Sequence, residues 1–202
     1  MTSLRIRAIA LELAGALLVA GGATAQDPAA DHCAPATKPS PFRRSEREYA
    51  LPDVTLRDQA GRAVPVSELQ GPSGPLAVNF IFTTCTTICP VMTATFAQMR
   101  RELGPEADRI RLVSITIDPE HDTPAVLAGY AERFGAPPGW SFLTGSPGDV
   151  ERVLRAFDAW ASSKTSHRPI TLLRRRGESG WVRLEGLGSG AALADQARTL
   201  LD

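Results

Sequence analysis

This chain carries no excess of charge of either sign: 22 lysines and arginines face 22 aspartates and glutamates across 202 residues. Without a concentrated basic surface there is no electrostatic case for binding nucleic acid. Mean hydropathy is close to zero, which excludes a protein that crosses the membrane several times. No internal repeat is visible, so a solenoid or propeller is not expected. Metal-binding side chains are scarce, with three cysteines and three histidines in the whole chain. The acidic cluster Asp118, Glu120 and Asp122 lacks the glycine and the repeated oxygen spacing of a calcium loop.

The N-terminus has what an export signal needs. Arg5 and Arg7 precede an apolar run, and the small residues Ala23 and Ala25 flank Thr24 at its end. Glu12 interrupts that run and leaves roughly a dozen clean apolar residues, too few to span a bilayer comfortably. Residues 1–25 are therefore predicted to be a signal peptide, and a membrane is involved only if this segment stays uncleaved as a tether. Its removal leaves 20 basic residues against 21 acidic. The predicted location is the periplasm or another extracytoplasmic compartment, where thiols meet oxidising conditions.

Residues 26–45 are rich in proline and alanine without a hydrophobic period and read as a flexible lead. From there to residue 202 the pattern is that of one domain. "DVTLRDQAGRAVPVSEL" suggests a β-hairpin, and "PLAVNFIF" (75–82) a central strand buried on both faces. Val91, Met92, Phe96, Met99 and Leu103 recur at helical spacing, with Pro90 suited to a first helical turn. A second buried strand spans 109–117. Thr123 and Pro124 start a helix that Gly135 stops, and a short strand covers 140–145. A third helix begins near Ser146. Two strands then flank a turn at 177–180, and a last helix covers 189–201. Strands alternating with helices, closed by a hairpin and a helix, make an α/β domain of thioredoxin-like arrangement with an N-terminal β-hairpin extension.

Two of the three cysteines, Cys85 and Cys89, fall between the first central strand and its helix. Unpaired amides and the positive dipole end of a helix stabilise thiolate there. A thiolate is both the nucleophile of disulfide exchange and a ligand for soft metals. Three residues, Thr86, Thr87 and Ile88, separate the pair. That spacing leaves a disulfide open and also lets both sulfurs face one external atom. A stapling disulfide is disfavoured, since closing so short a loop stabilises little.

Two sulfurs seldom complete a metal site in a wet compartment, so a third ligand is needed. His32 sits beside Cys33 in the lead, and His121 lies in a polar loop. His167 stands in a polar segment just before a strand, which in this arrangement lies at the cysteine end of the sheet. It is a candidate ligand in competition with an ordinary exposed loop histidine. Two thiolates and an imidazole suit copper as Cu(I) and Cu(II). Asp118, ending the strand "SITID", is either an outer polar group of such a site or a helix-capping carboxylate. Cys33 is the odd cysteine: a thiol for intermolecular pairing, a transient extra metal contact, or an incidental tail residue.

At these residues the chain resembles the Sco/SenC family, through "VNFIFTTCTTICPVMT", "SITIDPEHDTP", "WSFLTG" and "SHRPITLL". The resemblance covers roughly residues 48 to 187. It implies a thioredoxin-like, extracytoplasmic copper chaperone that serves cytochrome c oxidase assembly, with Cys85, Cys89 and His167 as copper ligands and Asp118 beside the metal. The implied partner is a respiratory copper-acceptor protein such as cytochrome c oxidase subunit II. The chain departs from the commoner family pattern at Thr86-Thr87-Ile88, where many members carry an aspartate, and at Ser166. A second expectation is a thiol–disulfide reductase with Cys85 attacking and Cys89 resolving. A peroxidase is the weakest alternative, because no residue obviously stabilises a peroxide.

Overall fold

The computed structural model describes residues 40–201. The predicted signal, His32 and Cys33 lie outside the described residues. Eight strands and four helices follow in the order β1 (Arg43–Glu48), β2 (Thr55–Arg57), β3 (Ala63–Pro65), β4 (Leu76–Ile81), α1 (Ile88–Leu103), β5 (Arg111–Thr116), α2 (Pro124–Arg133), β6 (Trp140–Leu143), α3 (Pro147–Ala156), β7 (Ile170–Arg174), β8 (Gly180–Glu185) and α4 (Gly190–Arg198).

Six strands form one sheet in the order β1-β8-β7-β4-β5-β6, and β2 and β3 make the separate hairpin expected at the N-terminal side. The neighbours β4, β5 and β6 are parallel; β7, β8 and β1 add on antiparallel. Each parallel connection runs through a helix, as a parallel pair requires.

The sheet separates two cores. On one side Ala77 and Ile81 of β4 pack with Phe96, Met99, Leu127, Tyr130 and Leu193 from α1, α2 and α4. On the other, Val78 and Phe80 of the same strand pack with Val150, Val153 and Leu154 of α3 and with Leu56 of the hairpin. Burial on both faces explains why β4 reads as an unbroken apolar run rather than an alternation.

The helix starts agree with their sequence signals. The Thr123 hydroxyl accepts the Val126 amide at 3.4 Å and Pro124 opens α2, while Ser146 accepts the Asp149 amide at 3.1 Å and Pro147 opens α3. Gly135 takes a φ of 60° just beyond α2, a conformation that costs glycine little.

Strand β1 is the element that the sequence pattern hides. "RRSERE" is almost wholly exposed and has no apolar face, yet it pairs along its length with β8, from Arg43 opposite Glu185 to Glu48 opposite Gly180. The boundary expected near residue 46 falls inside this strand. Among the described residues no helix is long and apolar enough to cross a membrane.

Candidate functional site

The loop after β4 carries the cysteine pair. Thr87 occupies the cap position of α1, but its side chain caps nothing. The sulfur of Cys85 does that work instead, receiving the Cys89 amide at 3.5 Å, with the Thr87 hydroxyl 3.6 Å away. A helix N-terminus leaves its first amides without partners, and here one of them finds a thiol. Cys89 lies in the first turn of α1 and is fully buried, while Cys85 is partly exposed. Both are free thiols.

This geometry divides the pair electrostatically. Partial burial opposes the thiolate at Cys85, but hydrogen bonds from Cys89 and Thr87 outweigh it and bring its pKa down to about 7. Burial drives Cys89 the other way, to about 12; the Phe82 backbone opposes this, and Cys85 and Asp122 add repulsion in the same direction as burial. One sulfur is thus an accessible thiolate near neutral pH, and the other is a protected thiol. Beneath them the Thr93 hydroxyl donates to the Cys89 carbonyl at 2.9 Å and stands 3.0 Å from the Tyr130 hydroxyl. Burial holds that phenol up at about 12, so it stays protonated.

Asp122 anchors the loop and is the residue the sequence reading left without a role. Fully buried, its carboxylate accepts the Thr83 amide at 3.1 Å, the Thr83 hydroxyl, and the Thr116 hydroxyl at the end of β5. It ties the cysteine loop to the loop that enters α2. Its one sequence signal is its place in the D-P-x-x-D-T-P segment, where it looks like a solvated acid.

His167 is buried and reaches β4. In the strand's alternation the Ile81 carbonyl accepts the Ile117 amide on the β5 side, so the Phe80 carbonyl points toward β7. The pairing of β4 with β7 ends at Asn79 opposite Thr171, and His167 Nε2 continues it, 3.0 Å from the Phe80 oxygen. Because that oxygen can only accept, Nε2 carries the proton. Nδ1 then presents a bare lone pair, buried and without a hydrogen-bond partner. Burial lowers the pKa of this ring, and nearby Arg168 lowers it further, against a smaller opposing effect of the Phe80 carbonyl.

Asp118 lies two residues beyond β5 and is buried, its Oδ2 2.6 Å from Lys164 Nζ. Lys164 opens the short 3-10 turn Lys164–Ser166 that leads into His167, whose amide donates to the Lys164 carbonyl at 3.3 Å. The ion pair therefore fastens the histidine loop to the end of β5. His121 lies exposed on the intervening loop, its amide donating to the Asp118 carbonyl at 3.1 Å. Trp140 and Phe142 are buried, the Trp140 indole donating to the Ser114 hydroxyl at 3.0 Å.

The structure thus brings Cys85 and Cys89 together and joins Asp118 to the His167 loop. Among the described residues it gathers no group of three or more histidine, cysteine, aspartate or glutamate side chains close enough to hold a metal ion. His167 faces the strand that feeds the cysteine loop without closing onto the sulfurs.

The SCO1/SenC family model matches residues 43–173. The SCO1 protein homolog of Bacillus subtilis is 35% identical over 114 residues, covering 55% of this chain and 58% of that protein. The chain spans about half the length of the curated relatives it matches. Among solved structures, BsSco, described as a member of the Sco family of cytochrome c oxidase assembly proteins and as holding a disulfide switch, superposes with a TM-score of 0.64 at 25% identity. That match covers 77% of this chain and 95% of BsSco. Bradyrhizobium japonicum ScoI, solved with copper bound, shares the fold with a TM-score of 0.60 at 24% identity, over 75% of this chain and 99% of that one. The thiol pair at a helix start, the buried histidine after α3 and these likenesses agree: the chain belongs to the SCO1/SenC family.

Proposed function

We propose that this protein takes up one copper ion through Cys85, Cys89 and His167 and hands it, outside the cytoplasm, to a respiratory copper protein such as cytochrome c oxidase subunit II. The observation that carries this reading is the lone pair of His167 Nδ1, buried and unpartnered beside the strand that leads to both cysteines. An unpaired buried acceptor costs free energy unless something completes it. The backbone bond at Nε2 fixes the tautomer of the ring, as hydrogen bonds from metal-binding imidazoles commonly do. Two sulfurs and one nitrogen form a soft donor set that suits copper better than magnesium or calcium. Copper is cargo here, and ligand exchange with an acceptor releases it.

The test is metal analysis of the reduced protein followed by copper titration of His167→Ala. The affinity is expected to fall by about a hundredfold or more, with the Cys85–Cys89 disulfide still able to form. Wild-type affinity for both Cu(I) and Cu(II) in that variant would refute the ligand set.

A second reading, thiol–disulfide reduction of the acceptor, rests on the asymmetry of the pair. The Cys85 thiolate attacks one sulfur of an acceptor disulfide and expels the other as thiolate. Bonding of Cys85 removes the charge that disfavours ionisation of Cys89. Cys89 then loses its proton and attacks the Cys85 sulfur, leaving a Cys85–Cys89 disulfide and two acceptor thiols, a two-electron transfer. Turnover of an oxidised acceptor without metal, in a protein that binds no copper, would favour this reading over delivery.

A further inference from the structure

Among the described residues, the large apolar side chains left exposed are Val91, Val126, Trp160 and Leu187. Single exposed apolar residues are ordinary on a protein surface, but a shared location is not. Val91 follows the cysteines in the first turn of α1, and Val126 lies in the first turn of α2. Both helices start where parallel strands β4 and β5 end. Strand β8, antiparallel to a strand that is itself antiparallel to β4, ends at that same edge and delivers Leu187 there. Trp160 lines a cleft with Ile117 and Asp118, again at the end of β5. All four therefore surround the cysteine end of the sheet.

The cleft is the built part of this surface. Its volume is about 250 Å³, room for one large side chain. Val150, Leu154 and Ile117 give it an apolar lining. Trp160 forms a wall, 41% exposed, with the Arg155 guanidinium 4.0 Å from the ring centre and Arg155 in turn paired to Glu151 at 2.7 Å. The charged groups at the cleft are Asp118, Glu120 and Glu151 against Lys164 and the Arg155 stacked on Trp160. Lys164 is committed to Asp118, and Glu120 has no ion-pair partner among the described residues. The cleft thus offers an apolar slot whose rim carries one uncommitted carboxylate, Glu120, and it reaches the turn that leads into His167.

We propose that this cleft docks the copper-accepting protein through an apolar side chain flanked by lysine or arginine, and so sets the acceptor beside Cys85 and the His167 loop. The proposal rests on the copper-delivery reading and names its docking surface. A rigid aromatic wall held by a charge pair is the kind of group that carries binding energy at interfaces. The uncommitted Glu120 favours a lysine or arginine beside that apolar side chain.

The experiment measures, by calorimetry, binding of the reduced protein to the copper-free soluble domain of cytochrome c oxidase subunit II from the same organism. Trp160→Ala is expected to weaken it about tenfold or more. The double change Glu120→Lys with Glu151→Lys is expected to weaken it and to abolish its salt dependence. Cu(I) affinity should match wild type in both variants, since neither change touches Cys85, Cys89 or His167. Unaltered binding in both variants, no binding of the wild type, or sedimentation showing that Trp160 instead holds two copies of this chain together would each overturn the docking assignment. Copper binding that survives such a result would leave the delivery reading standing; loss of copper binding in the wild type would remove that reading itself.

Discussion

His167 Nε2 lies 3.0 Å from the Phe80 carbonyl, so the ring is pinned to the central strand and its other nitrogen is left without a partner. A neutral imidazole fits this place and an imidazolium does not, because burial pushes the pKa below its ordinary 6.5. Below pH 6.5 the unfolded chain binds a proton that the folded chain resists. The stability this site contributes is therefore complete above 6.5 and is lost as pH falls through the lower folded value. Urea melts of the reduced, copper-free protein across this range should show wild type losing stability relative to His167→Gln as the medium is acidified. Parallel profiles would refute the neutral assignment.

The Cys85 thiolate depends on two amides, the Thr87 hydroxyl and the Cys89 thiol. Thr87→Val removes the hydroxyl 3.6 Å from the sulfur and leaves the amides of Thr87 and Cys89. The pH midpoint of Cys85 alkylation should rise from about 7 in the wild type without reaching that of an ordinary thiol. Cys89, fully buried, should stay unmodified in both proteins until they unfold. An unmoved midpoint would assign the shift to the helix amides and the Cys89 thiol.

Asp122 is the buried tie between the cysteine loop and the end of β5. Asp122→Ala leaves the Thr83 amide and two hydroxyls without their acceptor. The expected loss is about 2 kcal/mol in denaturant unfolding. Removing the same charge also relieves a repulsion on Cys89, so the Cys89 pKa should fall from about 12. A variant as stable as wild type, with Cys89 unchanged, would show that Asp122 is dispensable to the loop.

Lys164 holds Asp118 at 2.6 Å but is itself half exposed, so solvent screens the pair. Lys164→Met should cost about 1 kcal/mol or less in stability, while the turn into His167 loses its fastening to β5. Copper affinity should therefore fall by more than the stability change suggests, and Lys164→Arg should restore it. Copper titration beside thermal unfolding checks this, and unchanged affinity in Lys164→Met would make the pair purely structural.

Local chemistry made most of the framework legible. Thr123-Pro124 and Ser146-Pro147 carry their helix starts within a few residues, and the unbroken apolar run of β4 announces a strand covered on both sides. The four-residue step from Cys85 to Cys89, followed by Pro90, marks the loop–helix junction in the sequence itself. Strand β1 was not legible, because its order comes from backbone pairing with β8 and not from an apolar face of its own.

At the site, residue type and spacing are enough to name the side chains that can carry the chemistry: two thiols at a helix start, one histidine before a strand, one acid after another. What each of them does in the folded chain comes from packing. It split the two sulfurs to about 7 and about 12, set the proton of His167 on Nε2, gave Asp118 to Lys164, and made Asp122 the anchor of the loop. The reason is that burial and hydrogen-bond direction are properties of neighbours brought from distant parts of the chain, and no residue spacing encodes them.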